Sequence, residues 1–145
     1  MTQGRPHHSA LVQKAMALRA VFMKPISGSV PHAFAVVTPP QHQSGRFVIV
    51  NWTTRYGTRL EDGSCLLAKG DHEWVEHDSY IYYTGAELRT VADLRTELMA
   101  FKSLRVADTQ LSDVLYRRIL SGFLNTSECP TDVHGFLLSL LSRKP

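Results

Sequence analysis

The residues able to do chemistry are bunched in this chain. Asn51, Thr53 and Thr54 close the apolar run Phe47-Val48-Ile49-Val50, and Lys69, Asp71, His72, His77, Asp78 and Ser79 fall together further on. In Lys69-Gly70-Asp71-His72 the imidazole is the first group to weigh, because histidine exchanges protons near neutrality and can serve a substrate hydroxyl or a leaving group. The same four residues also read as a turn. Gly-Asp is a frequent turn pair, in which Asp71 bonds backbone amides and His72 fills a polar niche.

Other chemistries fit less well. His72 and His77 with Asp71 or Asp78 match no closed zinc spacing, and neither Cys65 nor Cys129 has a neighbouring cysteine, so neither a metal nor a cofactor is expected. The adjacent His7 and His8 lack spaced further ligands and read as part of a solvated tail. Cys65 sits in an apolar stretch, where a thiol is buried and inert, and Ser79 lacks the glycine pattern of a nucleophile elbow. For nucleic acid, Arg46, Arg55, Arg59 and Lys69 offer cations to phosphate, while Trp52, Tyr56, Trp74, Tyr80 and Tyr82 offer faces for unpaired bases. Aromatics at alternating strand positions equally suit a core.

The elements that must position these groups follow from periodicity. Residues 1–9 read as a flexible tail, and Leu11, Val12, Ala15, Met16, Leu18 and Phe22 recur at helical spacing from a cap at Ser9. Pro25 and Gly28 stop that helix. Ala33 to Thr38 and Phe47 to Thr54 read as strands of a hairpin, the second central because it is apolar on both faces. Ser64 to Leu67 and Tyr80 to Tyr83 give a third and a fourth strand. From Gly85 the spacing of Leu88, Val91, Leu94, Leu98 and Phe101 predicts a helix, with strand character possible near its end. A second runs through Leu111, Val114, Leu115, Ile119, Leu120 and Phe123 behind Thr109 or Ser112, and a third covers Val133 to Leu141.

The expected class is therefore α+β in a single domain of 145 residues: a β core over 31–83, a helix before it and a mainly helical part over 86–142 packed on it. Several short strands with turns between them suit a small barrel, which removes exposed edges. An apolar share of 43% with 20% charged residues is that of a folded globular chain, and a net charge of +3 favours an anionic partner without a basic tail. No stretch approaches the roughly 18 apolar residues of a membrane span, and the polar N-terminus lacks a secretory signal, so a cytoplasmic protein with free thiols is expected.

Taken in order, His32-Ala33-Phe34-Ala35-Val36-Val37-Thr38, Val48-Ile49-Val50-Asn51-Trp52-Thr53-Thr54, Lys69-Gly70-Asp71-His72 and Ser79-Tyr80-Ile81-Tyr82-Tyr83 resemble the PemK/MazF-like toxins of bacterial toxin–antitoxin systems. The likeness covers Pro31 to Tyr83. It implies an SH3-like barrel, a homodimer, inhibition by a cognate antitoxin protein, and metal-independent cleavage of single-stranded RNA through the ribose 2′-hydroxyl. Thr53 and Thr54 match the family's polar pair on the scissile phosphate, and His32 stands where members place a basic residue. The arginine and aspartate that such enzymes carry on a later strand have no counterpart near Tyr80 to Tyr83. Their acid–base work would pass to His72 with Lys69 or His32. Asn51, Arg46, Arg55, Trp74 and Ser79 complete the expected RNA-binding set. The alternatives are a non-catalytic module holding RNA or a protein, and an accessory protein whose helix over 111–124 binds another chain.

Overall fold

A computed structural model describes residues 4–26 and 30–142. Among these residues the chain forms α1 (Gly4–Ala15), β1 (Val21–Pro25), β2 (Pro31–Val36), β3 (Arg46–Thr54), β4 (Leu66–Leu67), β5 (Ser79–Thr90), α2 (Val91–Ala100), β6 (Arg105–Val106), α3 (Asp113–Asn125) and α4 (Thr131–Ser142). The class is α+β. The strands form one antiparallel sheet in the order β4-β5-β3-β2-β1-β6. That order does not close on itself, so the pairing expected of a barrel is not made. Its outer strands are two residues each, and short edges offer little template for pairing with another chain.

β3 is central, as its sequence requires. Val48, Val50 and Trp52 point into one apolar cluster, which α3 and α4 cover with Leu115, Ile119, Phe123, Val133, Phe136 and Leu137. Phe47 and Ile49 point the other way, into a second cluster covered by Val12, Ala15 and Met16 at α1 and by Leu94 and Leu98 of α2. Alternation thus serves two cores, and each fully buried aliphatic or aromatic side chain contributes about 1.5–3 kcal/mol.

Three sequence expectations need correction. The first helix starts at Gly4, inside the expected tail, and ends at Ala15, so Ser9 lies within it. His8 is buried, its Nε2 2.9 Å from the Leu98 carbonyl, and so ties α1 to α2. Beyond the helix Arg19 takes a left-handed φ of 73° and turns the chain into β1, with its amide on the Val36 carbonyl. Phe22, read as a continuing helical face, is a strand residue paired with Phe34. Gly28, the other expected stop, lies outside the described residues.

The third correction concerns the segment after Gly85. β5 continues to Thr90, because pairing of Glu87, Leu88, Arg89 and Thr90 with β3 overrides the helical spacing. Thr90 then caps α2 through its hydroxyl on the Asp93 amide. Within β5 the register shifts: Ile49 pairs with Glu87 but Asn51 with Tyr82, leaving 83–86 opposite Val50. This bulge reverses the facing of β5, so Ile81 and Tyr83 share a core with Ala86 and Leu88. Ser112, one of the two expected caps, begins α3 by accepting from the Leu115 amide.

Candidate functional site

The helices α1 and α2 cover only part of their sheet face. Phe22, Phe34, Phe47 and Ile49 lie beneath them, whereas the next positions on the same face are Asn51 and Thr53 of β3. Their cross-strand partners on β5 are Tyr82 and Tyr80. With His32 of β2 and Ile26 after β1, these side chains line a cleft of about 310 Å³.

At the border between the covered and open halves stands Lys24, paired across the strands with His32. It is 4% exposed, 3.5 Å from Glu87 and 3.3 Å from Glu97, with its Nζ 4.4 Å above the Phe34 ring. Arg89 joins the same carboxylates, at 2.8 Å from Glu87 and 2.6 Å from Glu97, and adds Asp93 at 2.7 Å. The charge of Lys24 is thus balanced within the fold, and among the described residues no lysine or arginine lines the cleft.

Within the cleft Asn51 is 1% exposed, and among the described residues its Oδ1 is buried with no hydrogen-bond partner. Tyr82 and Tyr80 meet edge to face at 6.4 Å. Burial, helped by the nearby Glu61 carboxylate, raises the Tyr80 phenol, so it keeps its proton at neutral pH. The cleft therefore offers an imidazole, a hydroxyl, a carboxamide and two aromatic rings.

The remaining expected site residues lie elsewhere. His72 is buried on the opposite side of the sheet, its ring 5.6 Å from that of Trp52. The Trp74 amide donates to its Nδ1 at 3.1 Å, so Nε2 carries the hydrogen and donates to the Thr109 carbonyl at 2.8 Å. His72 thereby pins the β4–β5 loop to the segment before α3. Asp71 closes the turn of that loop by accepting from the Ala68 amide at 2.8 Å, and Gly70 supplies a φ of 98°. Lys69 is exposed beside it.

Thr54 pairs with Ser79 at the end of β3. Ser79 is buried, with its hydroxyl donating to the His77 carbonyl. Trp74 packs at the edge of the α3/α4 core beneath the Arg105 guanidinium, 5.2 Å from its ring centre. Arg46 sits at the other end of β3 over the Phe136 ring, and Arg55 is an exposed residue whose amide bonds the Asp78 carbonyl. The fold thus brings His32, Asn51 and Thr53 together and leaves His72, Lys69, Thr54, Arg46, Arg55, Trp74 and Ser79 outside the cleft.

Sequence reasoning did not find Ile26, Lys24 or Gly85, since β1 was read as helix and the bulge as a helix start. Of the aromatics named as faces for unpaired bases, Tyr80 and Tyr82 line the cleft, and Trp52, Tyr56 and Trp74 are not among its described lining residues. No family model, curated protein or solved structure matches the chain.

Proposed function

We propose that the protein acts on single-stranded RNA at this cleft, as a PemK/MazF-like endoribonuclease that needs no metal. The observation that supports it is the meeting of His32, Asn51 and Thr53 in one open cleft. They come from the paired strands β2 and β3, and the family likeness nominates His32 and Thr53 independently of the geometry. In this reading His32 takes the proton of the ribose 2′-hydroxyl and that oxygen attacks phosphorus. The bond from phosphorus to the 5′ oxygen breaks, leaving a 2′,3′-cyclic phosphate, and the Tyr80 phenol supplies the proton to the leaving oxygen. Thr53 donates to a phosphate oxygen. On the same likeness the working species is a homodimer restrained by a small antitoxin protein.

A second reading is a module that holds RNA without cleaving it. It is favoured by the lack of any lysine or arginine among the described lining residues, since phosphoryl chemistry gains from a cation at the developing charge. One experiment separates the two. Purified protein is incubated with long single-stranded RNA in EDTA, and both bound and cleaved RNA are measured. Cleavage that falls about 10²–10⁴-fold in His32→Ala is expected for the enzyme. Saturable binding with intact RNA is the result that leaves only the module.

A further inference from the structure

We infer that the cleft seats one unpaired base of the bound strand, and that the Asn51 carboxamide recognises it. This rests on the RNA reading above and adds which part of the RNA enters.

Beside Asn51 and Tyr82 a phosphate would find no lysine or arginine among the described lining residues, and Lys24 already faces Glu87 and Glu97. A base brings an aromatic face and polar edges, which match the cross-strand pair Asn51 and Tyr82, while the neighbouring pair Thr53 and Tyr80 stays with the scissile phosphate and its leaving oxygen. The cleft volume of about 310 Å³ stands at the small end of ligand sites, which span roughly 300–1,000 Å³, and suits one planar heterocycle.

The buried Oδ1 of Asn51 gives the direction of recognition. A carbonyl oxygen taken from water without a donor is unfavourable, and such groups in folded proteins call for a reason. A ligand N–H is the missing donor. Asn51 and Tyr82 are cross-strand partners, and this oxygen and the edge of the Tyr82 ring both lie against the bare backbone of Gly85. A Cβ at Gly85 would lie 2.8 Å from Asn51 Oδ1 and 2.8 Å from Tyr82 Cδ2. Tyr82 is 37% exposed, so its ring can swing outward without breaking a core. A base that displaces it stacks on the ring and presents its N–H to Oδ1. The β5 bulge has a use here, since it sets Gly85 beside both side chains.

The test compares a labelled hexamer of adenylate with an abasic ribose-phosphate hexamer of equal length, by fluorescence anisotropy. Free adenosine is titrated in parallel while the Asn51 side-chain amide is followed by NMR. The base-bearing strand is expected to bind roughly tenfold tighter or more, the scale of one amide hydrogen bond plus stacking. Asn51→Leu should bring the two strands within about twofold of each other, with a melting temperature equal to or above that of the wild type. Equal binding of both hexamers to the wild-type protein overturns the inference and leaves the RNA reading standing. Adenosine shifting the Asn51 amide with no RNA bound would uphold base recognition and remove the RNA reading. Binding of neither overturns both. A lowered melting temperature in Asn51→Leu, with binding lost, would make Asn51 a packing residue and overturn its role in recognition.

Discussion

At His72 both ring nitrogens have partners inside the fold, one from the Trp74 amide and one at the Thr109 carbonyl. His32 lines an open cleft. The two histidines should therefore respond oppositely to truncation. His72→Ala removes a buried ring beside Trp52 and leaves two backbone groups short of a partner, so a loss of about 2–4 kcal/mol is expected by urea unfolding, with cleavage per folded molecule retained. His32→Ala should change stability by less than about 1 kcal/mol and remove the activity. At this scale the sequence was half legible. Asn51 and Thr53 stood out because polar residues abruptly follow an apolar strand. His72 drew equal notice, because residue type shows which groups can move protons and says nothing of whether the fold already occupies them.

Among the elements, α3 and β5 meet most closely where Gly122 crosses Tyr83. The Tyr83 hydroxyl donates to the Ile119 carbonyl at 2.7 Å, and its ring lies edge-on to Phe123 at 4.6 Å. A Cβ on Gly122 would fall 1.9 Å from the Tyr83 hydroxyl oxygen, and the Tyr83 ring is fully buried, with no open side to swing to. Gly122→Ala should thus destabilise by about 3 kcal/mol, at the upper end of overpacking costs, and a shifted urea midpoint with unchanged slope is the check. The strands β2 and β3 and the helices α3 and α4 could be read from pattern alone, because long periodic runs survive tertiary context. β1 and the second half of β5 could not. Leu18 and Phe22 keep helical spacing across the turn at Arg19 by coincidence, and Leu88 looks helical only because a bulge has reversed the facing of its strand.

For the whole molecule, ionic and hydrogen-bonded carboxylates tie the periphery to the sheet. Burial works to raise Asp62, yet hydrogen bonds from Thr126 and Ser64 outweigh it and hold the carboxyl below its ordinary 3.8. Asp93 is held below the same value chiefly by its hydrogen bond from Arg89. A carboxyl with a lowered folded value stabilises the protein above its unfolded value, and that contribution is lost as pH falls through the folded one. The share of stability from these two carboxyls should accordingly be lost below about pH 4, so melting temperature falls there less steeply in Asp62→Asn than in the wild type. Among the described residues no helix is long and apolar enough to cross a membrane, and Cys65 and Cys129 are free thiols. The α+β class with helices packed on a sheet was readable from composition and period. The open edge order was not, since it depends on β1 and β6 pairing beside β2, and one of these was disguised as helix while the other is two residues long.

On the proposed function, the cleft of His32, Asn51 and Thr53 is where this protein meets and cleaves single-stranded RNA. Its most direct test is the cleavage rate of one long single-stranded RNA in EDTA by the wild type, His32→Ala and His72→Ala, each shown folded by its melting curve. The wild type and His72→Ala should yield 2′,3′-cyclic phosphate ends at comparable rates, with His32→Ala slowed at least about a hundredfold. Cleavage unchanged in His32→Ala and lost in a folded His72→Ala would contradict it.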